Sequence, residues 1–308
     1  MKKIAIIIPA FNEAGNILPV YKEIQKILIN FTSYSWEVLF VNDGSSDNTL
    51  EIIEKCALEN LNVKFISFSR NFGKDNALKA GIDYVSADII ITMDADLQHP
   101  PSLIPELISK YEEGYNVVYA HRKGSNPHVS FFSKLSSKLF WKLLNLLSEL
   151  KLEDGISDFR LLDKKVIDVL KSVNESDLFF RGMVKWVGFN QIGIEYVPNE
   201  RLEGETNYSK SQLLKLAIYG ITSFSTKPLY SAIYIGFILS GLSILYIPYI
   251  IISIIYHFDV PGWSSIIMTI VFFGGLQLIM LGVIGIYIGK MFMQTKERPN
   301  YIIDTKNF

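Results

Sequence analysis

The stretch IIITMDADLQH, residues 89–99, is the part of the chain from which its fold can be inferred. A short apolar run with polar flanks is typical of a strand buried in a parallel sheet. The run stops at Asp94 and Asp96, and no basic residue stands beside them in the sequence to neutralise them. Because carboxylates are almost never buried without a partner or a cation, the stretch predicts a strand that ends in a metal-binding pair.

Strand geometry extends this prediction to a third residue. Side chains two positions apart lie on the same side of a strand, so Asp94 and Asp96 are predicted to share a face with Gln98 just beyond them. Oxygen ligands of this kind suit Mg²⁺ or Mn²⁺ rather than zinc. The alternative is an acidic turn that closes the strand, because Asp-x-Asp by itself is a common pattern.

The composition limits the class of protein. Of the 308 residues, 49% are hydrophobic, which is high for a purely soluble protein and indicates a membrane segment. The net charge of -1 provides no basic field of the kind that binds nucleic acid. Cys56 is the single cysteine, so the chain has no internal disulfide, and this thiol is predicted to be buried on a helix.

Apolar β-branched runs alternate with amphipathic stretches from residue 4 to residue 120. Strands are predicted at 4–8, 37–41, 63–67, 89–93 and 116–120, and helices at 13–30, 46–60, 73–86 and 101–113. This alternation predicts an α/β fold whose mostly parallel sheet is covered on both faces. In such sheets, ligands bind beyond the carboxyl ends of the strands.

Polar segments follow three of the predicted strands, at residues 9–13 (PAFNE), 42–47 (NDGSSD) and 94–98 (DADLQ). Since parallel strands end at the same edge of a sheet, these segments predict one ligand site. Asp43 stands too early to cap the following helix and is a predicted ligand contact. Ser45, Ser46 and Asp47 are better interpreted as helix caps.

Basic residues predict phosphate contacts at the same edge. Arg70 and Lys74 flank Gly73 at a helix start, where backbone N–H groups and the helix dipole favour an anion. Arg122 ends the fifth predicted strand and is a further candidate. The adjacent Lys123 is equally well interpreted as part of a solvated loop.

Four motifs resemble those of family 2 glycosyltransferases, which have the GT-A nucleotide-sugar fold. In chain order they are PAFNE (9–13), VNDGSSDNT (41–49), RNFGKDNALKAG (70–81) and MDADLQHPP (93–101). The chain is most similar to the polyprenyl-phosphate glycosyltransferases, which include dolichol-phosphate mannose synthase and the bactoprenol glucosyltransferases. The resemblance spans essentially the whole chain and implies a Rossmann-like GT-A catalytic domain over residues 1–205.

The resemblance also implies a donor site. The residues that would line the nucleoside pocket are Pro9, Ala10, Phe11, Glu13 and Asp43. The residues that would bind the donor diphosphate and its Mg²⁺ or Mn²⁺ are Asp94, Ala95, Asp96 and Gln98, with Lys74 as a further donor contact. Phe11 stands where many relatives have Tyr, which removes a hydroxyl but keeps the ring.

The segment SDFR, residues 157–160, resembles one that approaches the acceptor site in relatives. Asp158 is therefore a candidate base, and a local ion pair with Arg160 is the alternative. A phosphate acceptor is already anionic near neutral pH, so Asp158 is predicted to position groups as much as to take a proton.

The segment RLEGETNYS, residues 201–209, resembles the Arg-x-x-Gly-x-Ser-Lys-Tyr loop of these enzymes. Arg201 would meet the diphosphate or the lipid phosphate, because a guanidinium fork suits both groups. Thr206 would contact the donor. Asn207 replaces the usual Lys, so that cationic contact depends on Lys210.

The membrane predictions come from three segments. Residues 131–150 have leucines at helical spacing and a lysine flank, which predicts an amphipathic helix in the membrane interface, with a core-packing helix as the alternative. Residues 206–228 are predicted to be a juxtamembrane interface helix. Residues 229–289 hold two apolar stretches that could each cross a bilayer, joined by a loop at 257–263 without Lys or Arg.

The charge distribution predicts how these helices are oriented. Basic residues precede the first apolar stretch and follow the second, in a tail at 290–308. The positive-inside rule then predicts an integral protein of the inner or plasma membrane with its catalytic domain and both termini in the cytoplasm. The small residues Gly282, Gly285 and Gly289 would permit close helix contact in a homo-oligomer.

Together these features predict one function and three alternatives. The prediction is metal-dependent transfer of a sugar to a polyprenyl phosphate such as undecaprenyl phosphate; the resemblance implies inversion and favours glucose from UDP-glucose. The predicted catalytic residues are Asp96, Asp158, Arg122 and Arg201. The alternatives are a mannosyltransferase that uses GDP-mannose, a processive polysaccharide synthase, whose Gln-x-x-Arg-Trp motif this chain lacks, and a non-catalytic nucleotide-sugar-binding module.

Overall fold

The computed structural model describes residues 1–122, 156–175, 178–197, 222–223, 225–256 and 262–308. The strands in these residues are β1 (Lys2–Ala10), β2 (Tyr34–Asn42), β3 (Val63–Phe68), β4 (Ile89–Thr92), β5 (Val117–Arg122), β6 (Ile156–Asp163), β7 (Gln191–Tyr196) and β8 (Ile303–Lys306). The helices are α1 (Ile17–Leu28), α2 (Thr49–Glu59), α3 (Lys74–Tyr84), α4 (Ile104–Glu112), α5 (Lys164–Ser172), α6 (Phe180–Trp186), α7 (Lys227–Ile255) and α8 (Trp263–Thr295). All the predicted strands and helices up to residue 122 are confirmed, with ends that differ by a few residues.

The described strands form one sheet in the order β7-β5-β6-β4-β1-β2-β3-β8. Strands β4, β1, β2 and β3 are parallel, which confirms the predicted α/β class. Strand β6 runs antiparallel between β4 and β5, and it pairs Arg160 with Thr92. Because β6 runs against its neighbours, its first residues lie beside the carboxyl end of β4.

The alternation of side chains along β1 divides the core into two layers. Ile4, Ile6 and Ile8 belong to the layer that includes α1 and α4. Ala5 and Ile7 belong to the layer that includes α3 and α5. Both faces of the sheet are therefore covered by helices, as β-branched residues on successive positions of a buried strand predict. Cys56 is buried on α2, as expected.

One of the two predicted membrane spans is supported by length and composition among the described side chains. The segment Met268–Thr295 has 28 residues, its most apolar 18-residue stretch has a mean hydropathy of 2.2, and none of that stretch is buried in the protein. Helix α7 has 29 residues, but the apolar segment of its described side chains, Lys227–Leu239, is by itself shorter than a bilayer requires. The first span therefore stays a prediction.

The segment after α8 returns to the sheet. Its residues Ile303–Lys306 form β8, which pairs antiparallel with β3. The sequence had predicted a tail here and no strand. Several predictions lie outside the described residues: Lys123, the interface helix at 131–150, the loop with Arg201, Thr206 and Asn207, Lys210, most of the interface helix at 206–228, and most of the loop at 257–263.

Candidate active site

Asp94 and Asp96 lie in a turn that follows β4 and not on the strand itself. Strand β4 ends at Thr92, and Leu97 has a left-handed backbone with φ of 57°. The N–H of Gln98 donates to Asp96 Oδ1 at 3.1 Å, which closes the turn. Strand alternation therefore does not apply to these residues, because the turn sets the direction of each side chain. The backbone of this segment is an acidic turn that closes the strand, which was the alternative to a pair of carboxylates on one face of the strand.

Lys74, in the first turn of α3, is the cationic partner that the neighbouring sequence lacks. Its Nζ lies 2.5 Å from Asp94 Oδ1 and 2.8 Å from Asp158 Oδ2. Burial by itself would lower the pKa of Lys74, but the carboxylates of Asp94 and Asp158 raise it above its ordinary value. Lys74 is therefore charged near neutral pH and joins the end of β4 to β6. The basic partner of Asp94, absent from the neighbouring sequence, therefore comes from a distant part of the chain.

Asp158 is the centre of the charged cluster. It is 3% exposed and lies on β6 beside the carboxyl end of β4. Arg181, at the start of α6, donates from Nε to one carboxylate oxygen and from a terminal nitrogen to the other, each at 2.7 Å. Burial would raise the pKa of Asp158, but Lys74 and Arg181 lower it well below its ordinary value. Asp158 is therefore an ionised, firmly held group.

Arg160, which is buried, and Asp75, which is half-buried, complete the charges around Asp158. The terminal nitrogen of Arg160 lies 3.7 Å from Asp158 Oδ1, so the predicted local ion pair is present but is longer than the contacts with Lys74 and Arg181. Burial lowers the pKa of Arg160 to about 10. Burial, reinforced by Asp158, raises the pKa of Asp75 to about 6. Asp75 and Arg181 were not among the predicted site residues.

His99 supports the acidic turn from the core side. Its ring is buried and stacks on Phe159, with centroids 5.4 Å apart and an interplanar angle of 22°. The N–H of Asp94 donates to His99 Nδ1 at 3.2 Å. Burial lowers the pKa of His99, so the ring is neutral and its Nδ1 can accept this hydrogen bond.

Asp43 joins the end of β2 to the loop before α3. Its two carboxylate oxygens accept the N–H groups of Phe72 at 2.7 Å and Gly73 at 2.9 Å. Burial raises the pKa of Asp43, while these two hydrogen bonds oppose that shift. Gly44 brings the same loops together, since it has φ of 64° and an added Cβ would lie 2.3 Å from the carbonyl carbon of Arg70.

The segments at the ends of β1 and β2 are bound to each other. The N–H of Asn12 donates to Ser45 Oγ at 3.0 Å, and the N–H of Ser46 donates to Asn12 Oδ1 at 2.9 Å. Phe11 is 46% exposed beside them, so its ring is accessible to a ligand. Asp47 accepts the N–H of Thr49, the first residue of α2, but the N-cap position is held by Asn48, so the predicted caps Ser45, Ser46 and Asp47 stand before the actual cap.

The predicted site residues therefore fall into three groups. Lys74, Asp94 and Asp158 are in direct contact, and Ala95, Asp96 and Gln98 belong to the same turn as Asp94. Pro9, Ala10, Phe11, Glu13 and Asp43 lie at the ends of the adjacent strands β1 and β2. Arg122 ends β5, and Arg201 and Thr206 lie outside the described residues.

The side-chain ligands around Asp94 can be compared with those that a divalent cation requires. Among the described residues, no group of three or more His, Cys, Asp or Glu side chains converges to hold a metal. Asp94 and Asp96 offer at most two carboxylates, and one oxygen of Asp94 already contacts Lys74. Mg²⁺ is commonly bound by one or two carboxylates together with substrate phosphates. The turn therefore fits a cation that is bound together with a diphosphate, and not one held by the protein alone.

Comparisons with known proteins agree with this geometry. Residues 5–170 match the family model for glycosyl transferase family 2. The uncharacterized glycosyltransferase YkcC of Bacillus subtilis (strain 168) is 43% identical over 304 residues, covering 97% of this chain and 92% of the relative. The bactoprenol glucosyl transferase of Shigella phage SfX is 39% identical over 305 residues, covering 99% of both chains.

A solved structure shares the fold. Mannosyl-3-phosphoglycerate synthase from Rubrobacter xylanophilus superposes with a TM-score of 0.50 over 71% of each chain, at 14% sequence identity. The family model covers more than half of this chain, and the two relatives align with nearly all of it. The chain belongs to glycosyl transferase family 2 and is therefore a glycosyltransferase.

Proposed function

We propose that this enzyme transfers glucose from UDP-glucose to a membrane polyprenyl phosphate such as undecaprenyl phosphate, with Mg²⁺ or Mn²⁺ and with inversion of the anomeric centre. The observation that carries the proposal is the chain of contacts from Asp94 through Lys74 to Asp158, at the carboxyl edge of the sheet. The full-length similarity to a bactoprenol glucosyl transferase supports this choice of donor and acceptor.

The donor would occupy the edge formed by the ends of β1, β2 and β4. Phe11, Glu13 and Asp43 would contact the nucleoside, and Asp94 and Asp96 would hold the divalent cation. The bound cation would neutralise charge on the departing diphosphate, where such stabilisation has the largest effect on the rate. Lys74 is adjacent to Asp94, so its ammonium group is well situated to contact a diphosphate oxygen.

The acceptor would supply its own nucleophile. A phosphate oxygen of the lipid attacks the anomeric carbon, a new carbon–oxygen bond forms, and the bond to the nucleoside diphosphate breaks. The low pKa of Asp158 makes this carboxylate a weak base, which favours a positioning role over proton abstraction. We therefore assign Asp158 to the placement of Lys74 and Arg181, with Arg122 and Arg201 as the phosphate contacts.

The membrane arrangement is part of the same proposal. The apolar helix that ends at Thr295 would hold the catalytic domain, residues 1–205, close to a lipid-borne acceptor. The first span in residues 229–256 and the interface helix at 206–228 would complete the anchor. Lys290 lies near the end of the apolar helix, and Lys296 and Arg298 follow it, which favours a cytoplasmic catalytic domain and cytoplasmic termini.

The proposal is tested with the purified full-length protein in detergent. The protein is incubated with undecaprenyl phosphate, Mg²⁺ or Mn²⁺, and labelled UDP-glucose, GDP-mannose or UDP-N-acetylglucosamine. We expect a glucosylated lipid from UDP-glucose that is lost with a chelator and in Asp96→Asn. The control Asp168→Asn removes a carboxylate on α5 that is 55% exposed, and it should keep activity.

Each component of the proposal has its own contrary outcome. Exclusive use of GDP-mannose would overturn the choice of donor. Absence of a lipid product with every donor would overturn the choice of acceptor. Full activity in the presence of a chelator would overturn the metal requirement.

A further inference from the structure

The segment after α8 packs along β3 and reaches the loop that leads to Lys74. Thr305 pairs with Ser67 and Ile303 pairs with Phe68, so β8 runs beside the carboxyl-terminal half of β3. The N–H of Ser69 donates to the carbonyl oxygen of Ile302 at 3.1 Å. Ser69 is the first residue of the β3–α3 loop, residues 69–73. The segment therefore contacts this loop where it leaves the sheet.

Tyr301 contacts the elements on both sides of the β3–α3 loop. Its ring stacks on Phe68 at the end of β3, with centroids 5.2 Å apart and an interplanar angle of 14°. Its hydroxyl donates to Asp83 Oδ2 on α3 at 2.9 Å. Phe68 in turn makes an edge-to-face contact with Phe72 inside the loop, at 5.7 Å between centroids. One side chain thus connects the strand before the loop to the helix after it.

The loop transmits these contacts to the active site over a short distance. Phe72 and Gly73 donate their N–H groups to Asp43, and Lys74 follows directly with its contacts to Asp94 and Asp158. A change in the position of Phe72 would therefore alter both the hydrogen bonds to Asp43 and the position of the Lys74 ammonium group.

The end of α8 and the segment after it also contact the chain that leads to Arg181. The side chain of Gln294, in the last turn of α8, donates to the carbonyl oxygen of Asn174 at 2.7 Å. The side chain of Asn300 donates to the carbonyl oxygen of Glu175 at 2.8 Å. Residues 174–175 follow α5 and precede α6, which begins at Phe180 and carries Arg181. Gln294 and Asn300 thus contact the chain six or seven residues before Arg181.

We propose that residues 296–308 are a positioning strap that couples the end of the apolar helix α8 to the active site, with Tyr301 as a positioning residue for Lys74. Among the described residues assigned to substrate, Tyr301 contacts none, so it acts through Phe68 and the β3–α3 loop. The strap would keep the catalytic edge at a constant position relative to the membrane-embedded part of the chain. This proposal rests on the proposed function only in the experiment that measures sugar transfer. The hydrogen-exchange experiment is independent of it.

Hydrogen exchange of the full-length protein in detergent tests the coupling without measuring activity. In Tyr301→Ala, we expect the amides of Phe72 and Gly73 to exchange roughly three- to tenfold faster, because their hydrogen bonds to Asp43 lose their support. The matched control is Asn307→Ala on the same segment. Asn307 accepts the N–H of Phe65 at 2.8 Å and donates to the carbonyl oxygen of Val63 at 3.3 Å, at the far end of β8. This control should increase exchange at Phe65 and leave Phe72 and Gly73 unchanged.

Two further measurements keep the test decisive. Tyr301→Phe retains the stacked ring and loses the hydrogen bond to Asp83, so it should fold even if Tyr301→Ala does not and should give a smaller increase in exchange. Sugar transfer by Tyr301→Ala should show a lower kcat, by about tenfold, with a similar KM for the lipid.

Unchanged exchange at Phe72 and Gly73 in both Tyr301 variants, or an equal increase in Asn307→Ala, would overturn the coupling. If the wild-type protein makes no lipid product, the proposed function fails while the exchange result still decides the coupling.

Discussion

Arg181 binds both carboxylate oxygens of Asp158 through a guanidinium fork, with two nitrogen–oxygen distances of 2.7 Å. Asp158 also receives Lys74 at 2.8 Å, so one buried carboxylate connects α6 and α3 to β6. A carboxylate with charged partners on two sides is held in position and remains ionised. This arrangement makes the cluster a rigid support beside the acidic turn.

Replacing Arg181 should weaken both the fold and the reaction. Arg181→Ala removes two charge-assisted hydrogen bonds from a carboxylate that is 3% exposed, and we expect the free energy of unfolding to fall by about 1–3 kcal/mol. Arg181→Lys keeps the charge and loses the fork, so it should show a smaller loss. Denaturant titration in detergent measures both variants. Equal stability of Arg181→Ala and the wild-type protein would contradict the role of the pair.

Lys74→Ala should weaken binding of a nucleoside diphosphate. Lys74 is the cation next to Asp94, and its removal leaves Asp94 and Asp158 without the positive charge between them. We expect the affinity for UDP in the presence of Mn²⁺ to fall about tenfold, measured by titration calorimetry. Lys55→Ala, at an exposed position of α2, is the control and should bind UDP normally. Tighter binding by Lys74→Ala would mean instead that Lys74 competes with the cation for Asp94.

The titration of Asp75 should lower the free energy of unfolding as the pH rises. Its pKa is raised from 3.8 to about 6 in the folded protein, so the unfolded chain releases its proton first. Stability from this group is fully present below pH 3.8, falls as the pH rises towards about 6, and is constant above that value. Asp158 has the opposite sign, because its folded pKa is lowered: its stabilisation is lost below pH 3.8 and is nearly constant over the upper part of this window, where it is ionised in both states.

The substitution Asp75→Asn tests this prediction. The asparagine has no proton to lose, so the variant should be more stable than the wild-type protein at neutral pH, by up to about 3 kcal/mol. Its side-chain oxygen can still accept the N–H of Phe180 that Asp75 accepts. Thermal unfolding at about pH 4.5 and about pH 7.5 measures the difference between the two proteins. A difference that is the same at both pH values would disagree with the raised pKa.

Gly44→Ala should separate the loops that form the donor side of the site. A Cβ at Gly44 would lie 2.3 Å from the carbonyl carbon of Arg70, and the backbone φ of 64° disfavours alanine as well. Gly114→Ala is the matched control, since Gly114 has φ of 102° but no atom within 4 Å of an added Cβ. We expect the control to lose about 1 kcal/mol of stability from backbone strain, and Gly44→Ala to lose more and also to bind UDP weakly. Equal losses of stability in the two variants would show that the close approach of the loops has no effect.

The strands that form the centre of the sheet could be predicted because each is a local apolar pattern. The composition of Ile89–Thr92 by itself predicts a buried strand, and two carboxylates stand in the turn that follows it. The motifs at 9–13, 41–49, 70–81 and 93–101 identified the family for the same reason, since each is contiguous in the chain. The strand β6 was missed because Ser157, Asp158 and Arg160 interrupt its apolar pattern with polar side chains that are buried in the structure.

The sequence by itself determined the α/β class, the apolar helix near the carboxyl terminus and the two carboxylates at the end of β4. Only the tertiary structure decided the partners of the charged residues. Arg181 stands 23 positions after Asp158, and Lys74 stands 20 positions before Asp94. Side chains so far apart meet only when the antiparallel β6 and the starts of α3 and α6 are brought to one edge of the sheet. The physical reason is that hydrophobic periodicity is a property of neighbouring residues, whereas an ion pair depends on the distance between two atoms in the folded chain.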